Sequence, residues 1–511
     1  MNLIRRYLSV ALIVMSAASH MNDLEAYGFA SADHWPTNGW RSTTPEKQGI
    51  DSAKLADALD YIRAHNIRIH SLLIIRNGYI VLDAYCYPYD KEQVHDVASV
   101  TKSITSALIG IAIDRGKIKS LREPVLTIFP DRQIANRDAR KQRLTTEHLI
   151  TMSSGLDCQF EPNEPTLRQM RQSGDWVQFM LDLPMIAEAG DKFVYCSGGM
   201  HLLSGVISQT VGMSAFDFAR QTLFTPLGIR DAIWPSDAKG VSHGWGDLRL
   251  HPHDMAKIGY LWLNHGLWNS KRVVSAEWVA ESTRAHVSAG GDSDYGYGWW
   301  VKSHARPFIY EAVGRGGQRI AVLPVENVIV VMTGGGFEPG DFSHLLIESI
   351  KPNKPLPANP VGVGRLARAV SALNKPPEPK SIPLLPATAE TVSDRSYLLD
   401  ANPLGIRSLT LRFTSQIEAS VQMTFTDGRT EEHPIGLDGR IKRSPGGRYN
   451  LPVGVKGYWE NNHDFILDYD EIANINRLRF QIGFEGDQIV IGLTEMTSEF
   501  KTTFEGKLRN K

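Results

Sequence analysis

Ser99-Val100-Thr101-Lys102 stands at the start of a largely apolar run that ends in Asp114-Arg115-Gly116. A buried helix with a cationic last turn and a glycine cap has this pattern, so the run predicts a helix whose first turn is the tetrad. Residues three apart share one face of a helix, which brings the Ser99 hydroxyl and the Lys102 amine together. The spacing therefore predicts a serine nucleophile with an amine beside it.

Lys102 can take a proton from Ser99 only while its amine is uncharged. Burial and the positive end of a helix dipole both favour the uncharged amine. The free backbone N–H groups at the same helix end can also hold an oxyanion. The S-x-x-K pattern recurs at Ser236 to Lys239 and at Ser498 to Lys501. Neither recurrence opens an apolar run, so we place the nucleophile at Ser99.

The composition is that of an ordinary globular protein, with 511 residues, 42% hydrophobic and 22% charged. This length allows two or three domains. The formal net charge of −1 gives no electrostatic attraction for nucleic acid or an anionic membrane. We therefore expect a small-molecule substrate and no nucleic-acid partner.

Residues 1–18 have the pattern of a secretory signal peptide. Arg5 and Arg6 precede the apolar run Tyr7 to Met15, and Ser16-Ala17-Ala18 supplies small residues for cleavage. The apolar run is too short to span a membrane. We expect an exported protein, periplasmic or secreted, with no integral membrane span after cleavage.

The order of predicted elements indicates an α+β fold. A helix near Asp51 to His65 and a hairpin around Asn77-Gly78 precede a mainly helical region that extends to about residue 285. Strands return from Tyr295, and a helix follows from about Phe342 to Ile350. This order predicts one antiparallel sheet flanked by helices, a helical lobe, and an active site in the crevice between them.

The C-terminal part has a different pattern. Residues 351–387 are rich in proline around a short helical stretch and are predicted to be a linker. Residues 388–511 contain segments that alternate with period two, as in Leu409-Leu411-Phe413, and they predict an all-β barrel or sandwich. We find no catalytic constellation in this domain.

Two further motifs carry chemistry beside the serine. Tyr195-Cys196-Ser197 precedes an apolar helix, and beside a Ser-Lys pair the Tyr195 phenol is a candidate proton relay. Taken alone, such a tyrosine is more often structural. Arg315-Gly316-Gly317-Gln318 leads into a strand, where the glycines allow close approach of a substrate and Arg315 can hold an anion. The alternative is a turn with a solvated charge.

The three motifs, in this order, resemble those of the serine β-lactamase and penicillin-binding-protein superfamily. The likeness is greatest to its class C-type branch, which includes carboxylesterases and 6-aminohexanoate-dimer hydrolases. It covers about residues 40–350, and the C-terminal region resembles accessory β-barrel domains of such hydrolases. Four supporting stretches agree with the resemblance: Leu149 to Leu156, Leu223 to Ile229, Asp254 to Gly259 and Tyr295 to Trp300.

The resemblance implies a β-lactamase/transpeptidase-like fold with a role for each motif. Ser99 is the implied acylated nucleophile, Lys102 its base partner and Tyr195 the proton relay. The backbone N–H groups of Ser99 and Gln318 are the implied oxyanion hole. The mechanism needs no cofactor and no metal.

This sequence departs from the β-lactamases of the branch in the implied substrate-binding residues. Ser197 stands where they have asparagine, and Arg315-Gly316-Gly317 stands where they have Lys-Thr-Gly. Both positions hold the amide and carboxylate of a β-lactam, so the departures favour an esterase or amidase. A guanidinium at Arg315 also predicts a preference for substrates with a terminal carboxylate.

Three other patterns have ordinary explanations. Ser242 lies in a G-x-S-x-G sequence, but the strand and helix that a nucleophile elbow requires are absent from the pattern around it. His251-Pro252-His253-Asp254 is typical of a helix start rather than a metal site. Cys86, Cys158 and Cys196 are too few for a disulfide framework, and we expect small buried hydrophobic residues.

The sequence thus predicts an exported serine hydrolase that cleaves ester or amide bonds of a small molecule through acyl-Ser99. One alternative is a β-lactamase or D-alanyl-D-alanine carboxypeptidase. A second is an inactive relative that binds ligand without turnover, which has no need of the Lys102 amine.

Overall fold

A computed structural model describes residues 34–509 of the chain. The predicted signal peptide lies outside the described residues. Between residues 34 and 509, no helix is both long enough and apolar enough to cross a bilayer.

The strands of the sheet region fall between residues 41 and 334. They are β1 (Arg41–Ser42), β2 (Ile69–Arg76), β3 (Tyr79–Tyr85), β4 (His95–Asp96), β5 (Arg249–Leu250), β6 (Leu267–Trp268), β7 (Lys271–Arg272), β8 (Val287–Ser288), β9 (Asp294–Tyr295), β10 (Trp300–Lys302), β11 (Ile309–Gly314), β12 (Gln318–Leu323) and β13 (Val328–Gly334). Within the described chain, nine of them form one sheet in the order β1-β3-β2-β13-β12-β11-β10-β9-β8. Neighbouring strands in this order pair antiparallel except β1 with β3. β4 with β5 and β6 with β7 form two small ribbons.

The hairpin β2–β3 turns at Asn77-Gly78, as the sequence predicts. The φ angles of Asn77 and Gly78 are 52° and 75°. A two-residue hairpin turn of type I′ needs positive φ at both positions, which Asn and Gly adopt at the least cost.

Helices cover both faces of this sheet and form a lobe beside it. They are α1 (Ser52–Ala64), α2 (Thr101–Asp114), α3 (Val125–Ile128), α4 (Ala139–Gln142), α5 (Thr146–Ile150), α6 (Pro165–Gln172), α7 (Trp176–Asp182), α8 (Ser197–Val211), α9 (Ala215–Ala219), α10 (Thr225–Leu227), α11 (Pro252–Leu263), α12 (Ala276–Ser282), α13 (Ser343–Ser349), α14 (Pro360–Leu373) and α15 (Ala387–Val392). A π-helical turn, Arg220–Phe224, joins α9 to α10.

Helix α14, which lies inside the predicted linker, packs into the core of the sheet region. Its Leu366 and Ala369 are buried in the same cluster as Leu55 and Leu59 of α1. Arg365 also forms ion pairs of 2.6 and 2.8 Å with Asp57 and Asp60 of α1. The short helix is therefore anchored on the sheet domain, whereas the proline-rich chain around it connects the two regions.

Helix α2 is buried along nearly its whole length, as its apolar sequence predicts. A Cβ atom on Gly110 would lie 2.3 Å from the Trp278 ring of α12. Only glycine allows these two helices to approach so closely. This packing fixes α2, and with it the site at its N-terminus, between the lobe and the sheet.

The C-terminal region is a nearly closed antiparallel barrel of ten strands, which confirms the predicted all-β fold. The strands are β14 (Ser396–Leu399), β15 (Ile406–Phe413), β16 (Ala419–Phe425), β17 (Thr430–Ile435), β18 (Lys442–Ser444), β19 (Val453–Trp459), β20 (Asp464–Glu471), β21 (Arg477–Glu485), β22 (Gln488–Glu495) and β23 (Lys501–Leu508). Their order is β17-β16-β15-β14-β23-β22-β21-β20-β19-β18, and a bridge between Gly436 and Lys456 links the two ends of the sheet.

The expectation of unpaired cysteines is wrong for two of the three residues. Cys158 and Cys196 form a disulfide, because the fold brings residues 38 apart in sequence to a Cα separation of 5.8 Å. Cys86 is free and half-buried, and burial raises the pKa of its thiol to about 12.

Candidate active site

Ser99 lies in a 3-10 turn, Ala98–Val100, and the α-helix begins two residues later at Thr101. The prediction that the whole tetrad forms the first α-helical turn is therefore wrong in this detail. The reason is the backbone of Ala98, whose φ of 47° is unusual for a residue with a Cβ. The Asp96 carboxylate holds this conformation by accepting the Ala98 N–H at 2.8 Å. Ser99 is left half-buried.

Lys102 is buried, with 1% of its surface exposed, and its amine points at Ser99. Nζ lies 2.8 Å from Ser99 Oγ and donates a second hydrogen bond of 2.9 Å to the Trp245 carbonyl. The predicted pair is thus in hydrogen-bond contact.

The Trp245 carbonyl is itself held in place by its neighbours. The Trp245 ring stacks on His243 at 4.7 Å, and His243 Nδ1 lies 2.7 Å from Asp247. These contacts fix the loop that orients the lysine. Sequence reasoning missed them, because a backbone acceptor leaves no signal in residue types.

Tyr195 lies beside Lys102, as the resemblance implies. The Lys102 amine is 4.8 Å from the centroid of the Tyr195 ring, and Trp300 stacks on that ring at 6.2 Å. Phe160 packs edge-on against the same ring at 5.1 Å. The Cys158–Cys196 disulfide fixes the backbone next to Tyr195. The structure therefore brings three predicted catalytic side chains, Ser99, Lys102 and Tyr195, into one place.

Ser197 is the first residue of α8 and is 2% exposed. Its Oγ has no hydrogen-bond partner among residues 34–509. A buried hydroxyl without a partner costs free energy. A polar atom of a bound substrate would remove that cost.

The Arg315-Gly316-Gly317-Gln318 segment is the tight turn between β11 and β12. Gly316 and Gly317 have φ of 84° and 95°, and a Cβ on Gly317 would lie 2.3 Å from the Phe337 ring. The Gln318 amide group bonds to the Arg315 and Gly334 carbonyls and to the Gly334 N–H. This leaves the side chain of Gln318 structural, so a role in the oxyanion hole rests on its backbone.

The same turn lies against the nucleophile. A Cβ on Gly314, at the end of β11, would lie 3.1 Å from Ala98 Cβ and 2.5 Å from the Val97 carbonyl oxygen. Gly314 pairs with Gln318 across the hairpin. The structure therefore brings the third motif next to Ser99.

Arg315 is exposed, and its guanidinium is directed at the barrel. Nη2 donates a 2.9 Å hydrogen bond to Oδ1 of Asn476. A Cβ on Gly316 would lie 2.5 Å from Ile475, the preceding residue. The carboxylate-binding role of Arg315 stays a prediction.

Two loops of the barrel form hydrogen bonds with the site region. In the first loop, the Ala473 carbonyl accepts the Asp96 N–H at 3.0 Å. In the second, Thr497 Oγ1 bonds to the Gly335 and Ile475 carbonyls, each at 3.0 Å. Sequence reasoning gave the barrel no part near the site, because Asn474-Ile475-Asn476 looks like any other strand connection.

Several ionisable groups are buried where the barrel meets the site. Burial raises the pKa of Asp96 against the opposing charge of Arg249, which lies 3.7 Å away. Burial also lowers the pKa of His95 to about 4, and His95 Nε2 lies 2.8 Å from His70 Nδ1. Burial raises the pKa of Asp470, on the barrel side, to about 6.

The other sequence patterns have structural roles. Ser242 is buried and accepts the Phe216 N–H at 3.1 Å, and Ser498 donates to Glu495. Ser236 and Lys239 are exposed. Pro252 begins α11, as predicted, and His253 bonds to Asp83 at 3.0 Å.

Comparison with known proteins shows which family the chain belongs to. A sequence model of the family called Beta-lactamase matches residues 55–347, more than half of the chain. The 6-aminohexanoate-dimer hydrolase of Paenarthrobacter ureafaciens is 22% identical over 290 residues, covering 53% of this chain and 73% of that protein. Penicillin-binding protein 4 of Amycolatopsis lactamdurans is 25% identical over 207 residues, which cover 39% of this chain and 52% of the relative.

Solved structures are similar as well, EstCE1 among them. EstCE1, a hydrolase with promiscuous acyltransferase activity, matches with a TM-score of 0.51 and 16% identity, covering 58% of this chain and 99% of EstCE1. At this identity the likeness shows a shared fold. The predicted α+β class, with its sheet and helices, is confirmed.

Proposed function

The chain belongs to the beta-lactamase family, and on that premise we propose that it is an exported serine hydrolase that cleaves esters or amides of a small molecule. The observation that carries the proposal is the buried Lys102 amine, 2.8 Å from Ser99 Oγ. Ligand binding without turnover has no use for this amine, whereas activation of a serine requires a base within hydrogen-bond reach.

The proposed reaction has two displacements. Lys102, acting as the base, takes the Ser99 proton while Oγ attacks the substrate carbonyl, and the backbone N–H groups of Ser99 and Gln318 hold the oxyanion. Tyr195 passes the proton to the leaving alcohol or amine as the scissile bond breaks. Water then attacks the acyl-Ser99 ester, and the same groups take its proton and return it to Ser99 Oγ as the ester bond breaks. The free acid leaves and Ser99 is regenerated.

The walls of the site support an acyl group with an apolar body. Trp300 and Phe160 pack on the ring of Tyr195, which itself lies next to Lys102. The buried Ser197 hydroxyl, which has no partner within residues 34–509, is available to a polar atom of the substrate. The predicted substrate is therefore an ester or amide with an apolar acyl portion and one hydrogen-bonding group near the scissile bond.

The Cys158–Cys196 disulfide supports the proposal of export. Disulfides form and persist in oxidising compartments such as the periplasm or the extracellular space, and are rare in the cytosol. A protein with this bond next to its proposed proton relay is suited to those compartments.

A substrate panel tests the proposal. Wild-type protein, Ser99→Ala and the control Ser242→Ala are assayed with simple esters, amide oligomers, D-alanyl-D-alanine peptides and β-lactams. We expect turnover of esters or amides by wild type and Ser242→Ala, and none by Ser99→Ala. Turnover mainly of β-lactams or D-alanyl-D-alanine peptides would favour the β-lactamase or carboxypeptidase alternative. Saturable binding without turnover would favour an inactive relative.

A further inference from the structure

The barrel contains a partly open cavity of about 320 Å³ at the end that faces the sheet region. Protein interiors are close-packed, with few voids larger than a water molecule. This cavity is on the order of ten waters in volume, taking about 30 Å³ for each. It is within the range of small-molecule sites and is too large to be a packing defect.

The walls of the cavity follow the alternation of the strands. Met423 and Phe425 of β16, and Leu478 and Phe480 of β21, are two apart in sequence and line the same space, as does Leu493 of β22. Residues two apart on a strand share one face, so these side chains point into the barrel. Such walls offer few hydrogen bonds to water molecules. An apolar ligand, by contrast, is stabilised because its surface is removed from water.

The charged groups that line the cavity are matched with opposite charges. Glu431, with 1% of its side chain exposed, pairs with Arg429 and accepts the Tyr469 hydroxyl at 2.9 Å. Arg448 lies 3.3 Å from Glu471 at the rim.

Glu495 is the remaining lining carboxylate. Burial opposes its ionisation, but hydrogen bonds from Ser498 and Thr497 and the charge of Arg315 hold its pKa below the ordinary value. Hydrogen bonds from Thr497 and Ser498 occupy both oxygens of Glu495, so each charged lining group already has a partner within the described residues.

From these observations we propose that the barrel cavity binds a small uncharged amphiphile, a molecule with an aromatic or branched aliphatic body and a hydrogen-bonding group. The body packs against Met423, Phe480 and Leu493, and the polar group lies at the charged rim. This is a second small-molecule site, separate from the Ser99 crevice.

Two loops of the barrel join the cavity to the region around Ser99. Asn476 lines the cavity and also accepts the hydrogen bond of Arg315. Glu495 lines the cavity two residues before Thr497, which bonds to the Gly335 carbonyl. Both sites therefore share these two loops as a wall.

Titration of the full chain with N-phenyl-1-naphthylamine tests the proposal. This probe is an uncharged aromatic amine whose fluorescence increases in apolar surroundings, and it is excited beyond the absorption of tryptophan. We expect saturable binding in the micromolar range with one site per chain. Ser99→Ala should bind equally well, so the outcome is independent of the proposed catalytic function.

Matched tryptophan variants of one strand locate the probe. Leu493→Trp fills the cavity from β22 and should weaken binding by about tenfold or more. Val490→Trp places the same side chain on the exposed face of β22 and should leave binding unchanged. If Leu493→Trp fails to fold, as judged by circular dichroism, Leu478→Trp obstructs the cavity at a half-buried position instead.

Two results would overturn the proposal. One is the absence of saturable binding to the wild-type chain. The other is equal affinity of wild type and a folded cavity-filling variant, which would place the probe elsewhere on the protein.

Discussion

The two walls of the Ser99 crevice are built from different parts of the chain. On one wall, Lys102 is held by Ser99 and by the Trp245 carbonyl, all within the sheet region and its lobe. On the other wall, the turn from Arg315 to Gln318 rests on the barrel through Asn476 and Ile475. The Ser99–Lys102 hydrogen bond thus involves no barrel residue, although the barrel's Ala473 carbonyl accepts the nearby Asp96 N–H, whereas the wall expected to bind substrate contacts the barrel directly.

This difference separates the Ser99–Lys102 pair from the wall that carries Arg315 and the proposed oxyanion donor Gln318. Changes at Lys102 should alter the rate of acylation for every substrate. Changes where Arg315 meets the barrel should alter the choice among substrates and leave the reactivity of Ser99 intact.

The largest expected effect is the loss of kcat when Lys102 or Tyr195, beside the nucleophile, is replaced. Lys102→Ala and Tyr195→Phe should each lower kcat by about 10³-fold, within the range for positioned acid–base groups. Because both act on one proton path with Ser99, the double variant should lose little more than the worse single variant. Steady-state kinetics with one ester measures all four proteins.

Fully additive losses would show that Lys102 and Tyr195 do not share a proton path. Lys257→Ala is a suitable control, because Lys257 is also a buried lysine but pairs with Asp254 in α11. It should leave kcat for the same ester nearly unchanged in the folded protein.

A smaller effect is expected at the wall that contacts the barrel. If Arg315 holds a substrate carboxylate, Arg315→Ala should lower kcat/KM for a carboxylated ester. The drop should correspond to a loss of about 1.5–3 kcal/mol in transition-state binding. The neutral analogue should be nearly unaffected. The comparison needs kcat/KM for both esters in both proteins.

Asn476→Ala tells the two roles of Arg315 apart. If Arg315 only stabilises the turn, Arg315→Ala should lower kcat/KM equally for both esters, and Asn476→Ala should lower it by the same amount. If Arg315 binds carboxylate, Asn476→Ala affects the carboxylated ester more than the neutral one. In either case, Ser99 should react with a small acylating reagent in Arg315→Ala and Asn476→Ala as fast as it does in wild type.

Contacts between residues close in sequence could be predicted, whereas contacts between distant residues could not. The Ser99–Lys102 pair and the Asn77-Gly78 turn were predictable, because helix spacing and turn chemistry act over a few residues. The contact of Lys102 with the Trp245 carbonyl spans 143 positions and that of Arg315 with Asn476 spans 161. Such contacts depend on how whole helices and strands pack. A backbone carbonyl or a single asparagine produces no sequence pattern from which the contact could be predicted.

Two local features were also missed. The left-handed Ala98 shifts the start of α2 because Asp96 accepts its N–H, and alanine itself predicts no such turn. The Cys158–Cys196 bond was missed because three scattered cysteines do not define a pairing.

The smallest effect concerns the buried histidines where the barrel meets the site. His95 has a pKa of about 4 in the folded protein and about 6.5 when unfolded. Since the unfolded chain binds the proton first, the stability due to neutral His95 is present above about pH 6.5 and is lost as the pH falls towards 4. Between pH 6.5 and 5 this amounts to about 2 kcal/mol of the free energy of unfolding.

Urea unfolding of wild type and His95→Gln at both pH values measures this effect. The groups around His95 are His70, Tyr89, Asp96 and Arg249, and Asp470 opposes the trend because its raised pKa favours the folded state at low pH. The variant should lose less stability on acidification than wild type, whereas the exposed His344→Gln should match wild type. Equal losses in all three proteins would show that His95 does not contribute to the pH dependence.

Mass-spectrometric peptide mapping after treatment with a fluorophosphonate identifies the nucleophile itself. We predict that the adduct lies on the peptide that contains Ser99, with strongly reduced labelling in Lys102→Ala and normal labelling in Asn476→Ala. Labelling at Ser236 or Ser242 in place of Ser99 would contradict the assignment of Ser99 as the nucleophile.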